Sequence, residues 1–160
     1  MFFDGLTRCA SSVNIPVTIH QSATVDRMNI QEHVDYWLSS AKNDLGAAEQ
    51  LFLSAKYDWC LFIGHLVLEK TLKAYFVYKN ENKIPPKTHN LLKLAEISGL
   101  PLAEGQELFL DEVNDFNLEV RYPEYRSEFY RLCTREFAEG YFTKIKEFTT
   151  WLTSQIMFDE

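Results

Sequence analysis

The stretch Tyr57–Lys79, YDWCLFIGHLVLEKTLKAYFVYK, constrains this chain most, because its apolar residues do not form a single stripe. Trp59, Ile63, Val67, Ala74 and Val77 mark one helical row, Phe62, Leu66 and Phe76 a second, and Leu61, Leu68, Leu72 and Tyr75 a third. A helix that is apolar over most of its circumference must be wrapped by other elements. Glu69 and Lys73 interrupt the second row at i,i+4 spacing, so their side chains reach the same face. An exposed pair of this kind adds only about 0.3 to 0.5 kcal/mol, whereas a buried one left half-paired costs roughly 3 to 5 kcal/mol. The simpler reading is a solvated pair at the edge of the row. The other is a buried ionic device for specificity or ligand contact.

The flanking segments supply what such a helix needs. From Ile30 to about Lys56, Val34, Leu38, Ala41, Leu45, Ala48, Phe52 and Ala55 alternate at spacings of four and three, the seam of an amphipathic helix. A short link at Tyr57 and Asp58 predicts an antiparallel hairpin with the central helix. Beyond Asn80, Pro85 and Pro86 impose an extended connection. Thr88 is the expected N-cap of a short helix from His89 to about Ser98, and Gly99 its C-terminal stop. A helix over about 103 to 120 buries Leu102, Gln106, Phe109, Val113, Phe116 and Val120. Pro123 turns the chain, and a last helix over about Arg131 to Ile156 carries Ala138, Tyr141, Ile145, Phe148 and Leu152. The prediction is an all-α, up-and-down bundle of four long helices and one short one, spanning residues 29–158. Residues 1–28 lack helical periodicity, with a short strand around Val17–Ile19 at most. They read as an N-terminal extension, with Met28 a candidate start of the periodic part.

Composition removes several classes of function. A chain of 160 residues suits one domain with a real core. No run of 18 apolar residues occurs, which excludes a helical membrane span. The first residues have no basic flank before an apolar core, a poor secretory signal, so the cytoplasm is the expected compartment. Cys9, Cys60 and Cys133 lie far apart with no CxxC and no histidine at ligand spacing, so they read as packing thiols. The net charge of -7 argues against coating nucleic acid by bulk electrostatics. The charge is unevenly placed, however. Lys70, Lys73, Lys79, Lys83, Lys87 and Lys93 cluster ahead of a stretch, Leu94 to Val120, that contains acids and no base.

Trp37, Ala41 and Asp44 on the first helix, SAKYDWC, HLVLEKTLKAYF, IPPKTHNLLKL and finally Arg121-Tyr122-Pro123 occur in an order and spacing that resembles the HEPN domain family. The resemblance spans about Ile30 to Ile156. Its sharpest pieces are Glu69-x-x-x-Lys73, Thr88-His89-Asn90-Leu91 and Arg121-Tyr122-Pro123. It implies a helical bundle, frequently a homodimer, often encoded beside a minimal nucleotidyltransferase and associated with nucleotides or RNA. Some members are metal-independent RNases of toxin–antitoxin systems that use Arg, four to six residues, then His. There the arginine stabilises the phosphorane and the histidine moves a proton at the ribose 2′-hydroxyl. This chain departs from that pattern. Arg121 matches the arginine, but positions 126 to 128 are Arg126, Ser127 and Glu128, and no histidine follows His89. Arg27 and His33 match the spacing by chance, ahead of the first helix.

The expectation is therefore a non-catalytic HEPN-type module that binds a nucleotide, RNA or a nucleotidyltransferase partner, with no cofactor and no metal. Arg121, Arg126, Arg131 and Arg135, interleaved with Tyr122, Tyr125, Phe129 and Tyr130, offer bidentate phosphate contacts and stacking surfaces. Lys83, Lys87 and His89 form a second candidate contact, beside a helix N-terminus that favours anions. The structural readings are an arginine–carboxylate network with Glu124, Glu128 and Glu136, a His89 ring bonded to the short helix, and a satisfied core histidine at His65. Asp111, Glu112 and Asp115 read as solvated surface. Two alternatives stand beside this one. One is an RNase in which Arg121 acts with Tyr125 or Arg126 in place of the histidine, and the other is a structural dimer subunit without ligand.

Overall fold

A computed structural model describes residues 29–157, excepting the side chains at 119–121 and 123–126. The expected extension over residues 1–28, including Cys9 and Arg27, lies outside the described residues. The described chain is all-helical, and none of its helices is long and apolar enough to cross a membrane.

Helix α1 (Ile30–Leu53) starts on a capping box. Asn29 Oδ1 accepts from the Glu32 amide at 2.9 Å, and Glu32 Oε2 accepts from the Asn29 amide at 2.9 Å. The chain then reverses over 54–56, where Ala55 adopts φ +56° and the Lys56 amide donates to Leu51 O at 2.8 Å. The reversal therefore precedes Tyr57, which already opens α2 (Tyr57–Lys79), and Asp58 is buried in the first turn. An acid there complements the positive helix end, which is why it belongs to the helix and not to the link.

The central helix is wrapped along most of its rows, although Trp59 in its first turn stays exposed. Leu61, Val67, Leu68, Leu72, Ala74 and Val77 are all sealed from solvent. Its antiparallel partner α1 covers one side, with Val34 packed on Ala74 and Val77, and Lys70 bridging to Asp44 at 2.6 Å. The short α3 (Leu91–Ser98) and then α4 (Glu104–Arg121) cover another. From the predicted α4 row, Phe109, Val113 and Phe116 are buried, while Leu102 and Gln106 are half-buried. Gln106 also caps the helix, its side chain accepting from the Ala103 amide at 3.0 Å. Gly99 closes α3 at φ +66°, in the left-handed region.

The last predicted helix forms, starting at Arg135, and the stretch read as a turn before it proves to be a further helix. Pro123 does not merely turn the chain: it occupies the first position of α5 (Pro123–Leu132), where its missing N–H and fixed φ cost nothing. Helix α6 (Arg135–Ser154) begins afresh at Thr134, whose hydroxyl accepts from the Phe137 amide at 3.2 Å. Ala138, Ile145, Phe148 and Leu152 are buried along α6, with Tyr141 half-buried. Among the described residues the bundle thus has six helices, four long and two short. Gly64 lets α6 approach α2 closely, since a Cβ there would stand 2.7 Å from Ile145 Cδ1.

Candidate functional site

The connection from α2 to α3 lies across the bundle as a strap, and three histidines hold it down. Glu81 and Asn82 take left-handed backbone angles, φ +53° and +64°, and reverse the chain directly after α2. Asn82 Oδ1 then meets His33 Nδ1 at 2.8 Å, and His33 belongs to the first turn of α1 and does not lie ahead of the helix as expected. At the far end of the strap the carbonyl of His89 lies 2.9 Å from His65 Nε2, and His89 Nδ1 lies 2.9 Å from Glu69 Oε2. Pro85, between these anchors, is buried.

His65 is fully buried on α2, and its partners fix its proton. A carbonyl can only accept, so Nε2 carries the hydrogen, and Nδ1 is left to accept from Asn117 Nδ2 at 3.0 Å. It is the satisfied core histidine of the sequence reading, and its partners join the strap to α4. A second tie lies nearby, where Asn114 Oδ1 accepts from the Leu91 amide at 2.8 Å.

Glu69 and Lys73 are not at a solvated edge. Both are buried, and Lys73 Nζ donates to Glu69 Oε1 at 2.6 Å. His89 of the strap closes over Glu69, where periodicity alone leaves the row open. Lys73 also stands 5.3 Å from the centroid of the Trp37 ring, a cation–π contact from α1. Both carboxylate oxygens of Glu69 are engaged, one by Lys73 and one by His89. Burial pushes the Glu69 carboxyl up, but the hydrogen bonds and charges of Lys73 and His89 outweigh it and hold the group below its ordinary value.

The His89 ring remains mostly outside, its side chain 62% exposed. With Nδ1 turned to Glu69, Nε2 is the nitrogen left to meet solvent. Lys83, Lys87 and Lys93 are exposed along the same strap and the start of α3. The cap of α3 is Asn90 and not Thr88. Asn90 Oδ1 accepts from the Lys93 amide at 2.9 Å, while Thr88 Oγ1 accepts from the Asn90 amide at 3.2 Å. With the Leu91 and Lys93 amides already bonded, an anion here would meet side chains and not a bare helix end.

The arginine-rich stretch frames the neighbouring end of α4. Arg121 is the last residue of α4, and Tyr125 and Arg126 lie in the first turn of α5, although their side chains are outside the described set. Tyr122, Tyr130, Arg131 and Arg135 are exposed, whereas Phe129 is buried against Phe116 with ring centroids 5.4 Å apart. Among the described residues no ion pair joins Arg131 or Arg135 to Glu128 or Glu136. Of the α4 acids, Glu112 accepts from the Tyr141 hydroxyl at 3.0 Å. No group of three or more His, Cys, Asp or Glu among the described residues is placed to hold a metal ion. Periodicity did not single out Asn114, Asn117 or Trp37. Two asparagines three residues apart beside the apolar row of α4 were the available signal, since such groups are buried only with partners.

An all-helical bundle with four long helices and a polar strap over its central helix defines the structural class. The model of the HEPN domain matches residues 34–156, and the chain belongs to that family. No curated protein and no solved structure matches it significantly.

Proposed function

We propose that residues 29–158 form a non-catalytic HEPN-type module, acting as a homodimer in the cytoplasm, that binds a nucleotide, RNA or a nucleotidyltransferase partner. Family membership supports the nucleotide- or RNA-related character of the module. The observation that carries the binding reading is the strap. Exposed Lys83, Lys87 and Lys93 sit on a backbone pinned by Asn82, His65 and Asn114, beside the end of α4 that bears Arg121. Cations fixed on a braced segment lose little further entropy when a phosphate arrives. Arg126, Arg131, Tyr122 and Tyr125 extend that basic, aromatic surface, and His89 Nε2 supplies a polar contact within it.

Calorimetric titration with ATP, GTP and a short single-stranded RNA tests this reading. Binding that weakens steeply with salt and is lost in the Lys83→Glu/Lys87→Glu variant supports it. Absence of binding to all three probes would leave the partner-only or structural-subunit readings.

One observation favours a second reading, a metal-independent RNase. His89 is backed by a buried carboxylate, the arrangement that orients a proton-transferring imidazole, although the family's own histidine position is vacant. Cleavage of labelled RNA in chelator, abolished by both His89→Ala and Arg121→Ala, would overturn the non-catalytic reading.

A further inference from the structure

We propose that the groove between α1 and α6 is the seat of an extended stretch of this chain's own N-terminal segment, residues 13–19, which lies outside the described residues.

The groove follows from the way the bundle is built. Helices α1 and α6 both pack on α2, and two clefts open in line between them, of about 480 and 260 Å³. One lies between residues 38–45 of α1 and 149–154 of α6, the other between residues 49–53 and 139–146. The two helices therefore run antiparallel, and from Leu38 to Leu53 the groove is about 22 Å long, at about 1.5 Å of rise per residue. Leu38, Ala41 and Leu45 give it an apolar wall, and at that end the opposite wall is made of hydroxyls.

Those hydroxyls say what the occupant must offer. Thr150 Oγ1 donates to Lys146 O at 2.9 Å, Thr153 Oγ1 to Thr149 O at 2.8 Å and Ser154 Oγ to Trp151 O at 2.6 Å, while Thr71 Oγ1 of α2 donates to Val67 O at 2.8 Å. Each has spent its hydrogen on its own helix and is left with lone pairs to offer. Thr149 Oγ1 is buried with no hydrogen-bond partner. Buried polar atoms of that kind are the exception in folded chains. The groove thus suits N–H donors carried on an apolar, uncharged body. A helix from another molecule brings amides already bonded within itself, whereas an extended segment brings them free.

The chain holds such a segment within reach. Val13, Ile15, Val17 and Ile19 alternate with Asn14, Pro16 and Thr18, so in an extended stretch the four apolar residues share one side. From Cys9 to Val25 there is no Asp, Glu, Lys or Arg, in a chain that is 24% charged, so entry into the groove strips no charged side chain of its water. Seven extended residues cover about 20 Å, close to the length of the groove. The segment joins the bundle at Asn29, the cap of α1. From there Leu38 is about 14 Å along the helix axis, and residues 20–28 span up to about 30 Å. The tether selects this occupant over a free peptide, since it holds the segment at a high effective concentration.

Hydrogen–deuterium exchange on the full chain, read by mass spectrometry, tests the seat. Amides of residues 13–19 should exchange at least tenfold more slowly than those of residues 20–28. Thr153→Arg, which fills the groove from an exposed position on α6, should abolish that difference with helicity unchanged. Val17→Asp should do the same from the other side of the contact, and it leaves the bundle untouched, so its result stands even if Thr153→Arg misfolds. Exchange of residues 13–19 as fast as 20–28 in the wild type overturns the proposal. Protection that survives both substitutions overturns the groove as the seat. A benzophenone photocrosslinker at Ile15 should join to α1 or α6 peptides of the same chain. Crosslinks to a second copy, or to other helices, overturn the assignment.

Discussion

Glu69 and His89, twenty residues apart, meet at 2.9 Å between a buried carboxylate oxygen and Nδ1 of an exposed ring. The other oxygen holds Lys73, so one carboxylate ties the strap to the lysine beneath it. Replacing Glu69 by glutamine leaves Lys73 buried without its counter-charge. The expected cost is about 3 kcal/mol, read as a lower denaturant midpoint at neutral pH with an unchanged m-value.

The same carboxylate predicts a pH dependence. Its folded-state value lies below the ordinary 4.5, so in acid the unfolded chain binds a proton that the folded chain resists. The stabilisation is fully present above about 4.5 and is lost as pH falls through the lower folded value. Denaturation midpoints measured from pH 6 down to about pH 3 should therefore fall more steeply for the wild type than for Glu69→Gln. Parallel curves would show that the acid loss arises elsewhere.

His65→Phe keeps the ring volume but removes both hydrogen bonds. The His89 carbonyl and Asn117 Nδ2 each lose the bond to this ring, at an expected cost of about 2 kcal/mol. Because those bonds hold the strap to α2 and α4, amide exchange over residues 83–90 should accelerate more than exchange in α6. Uniform acceleration throughout the chain would mean that the bonds contribute only to global stability.

These contacts mark the boundary of what periodicity reveals. The wrapped α2, the seams of α1 and α6 and the buried row of α4 follow from apolar spacing, because a core face repeats with the helix. The strap does not repeat, and so its consequences stayed hidden. Nothing in the spacing of Glu69 and Lys73 says that His89 from a non-helical connection will close over Glu69, nor that His33, His65 and His89 converge on that segment. Helix α5 was missed for a different reason: a proline breaks a helix from inside but starts one from its first turn, and Pro123 alone does not say which. For the candidate ligand face, the sequence supplied residue types, and the fold adds that the lysines of the strap are exposed and its backbone is braced.

Gly64→Ala should cost about 1 kcal/mol, because overpacking Ile145 outweighs the helical gain over glycine. Ile145→Val, which removes the offending Cδ1, should cost about 1 kcal/mol alone. Together the two should cost less than their sum. Strict additivity in a double-mutant cycle would show that the contact is relieved elsewhere.

Cys60 is fully buried, and burial pushes its thiol up to about 12, against a smaller downward pull from Lys146. It should resist iodoacetamide at pH 8 in the folded protein and react at once in denaturant. Peptide mapping by mass spectrometry distinguishes it from Cys9 and Cys133. Prompt labelling of Cys60 under native conditions would show that the α2 core opens locally.

The all-round apolar girth of α2 carries a cost during synthesis. Its first cover, α1, is already made when it leaves the ribosome, but α6, whose Ile145 closes over Gly64, follows only after the strap and three further helices have been translated. Until then the nascent chain exposes a greasy flank. A translational pause or truncation ahead of α6 should therefore yield aggregates or protease-sensitive fragments, and not a smaller stable bundle.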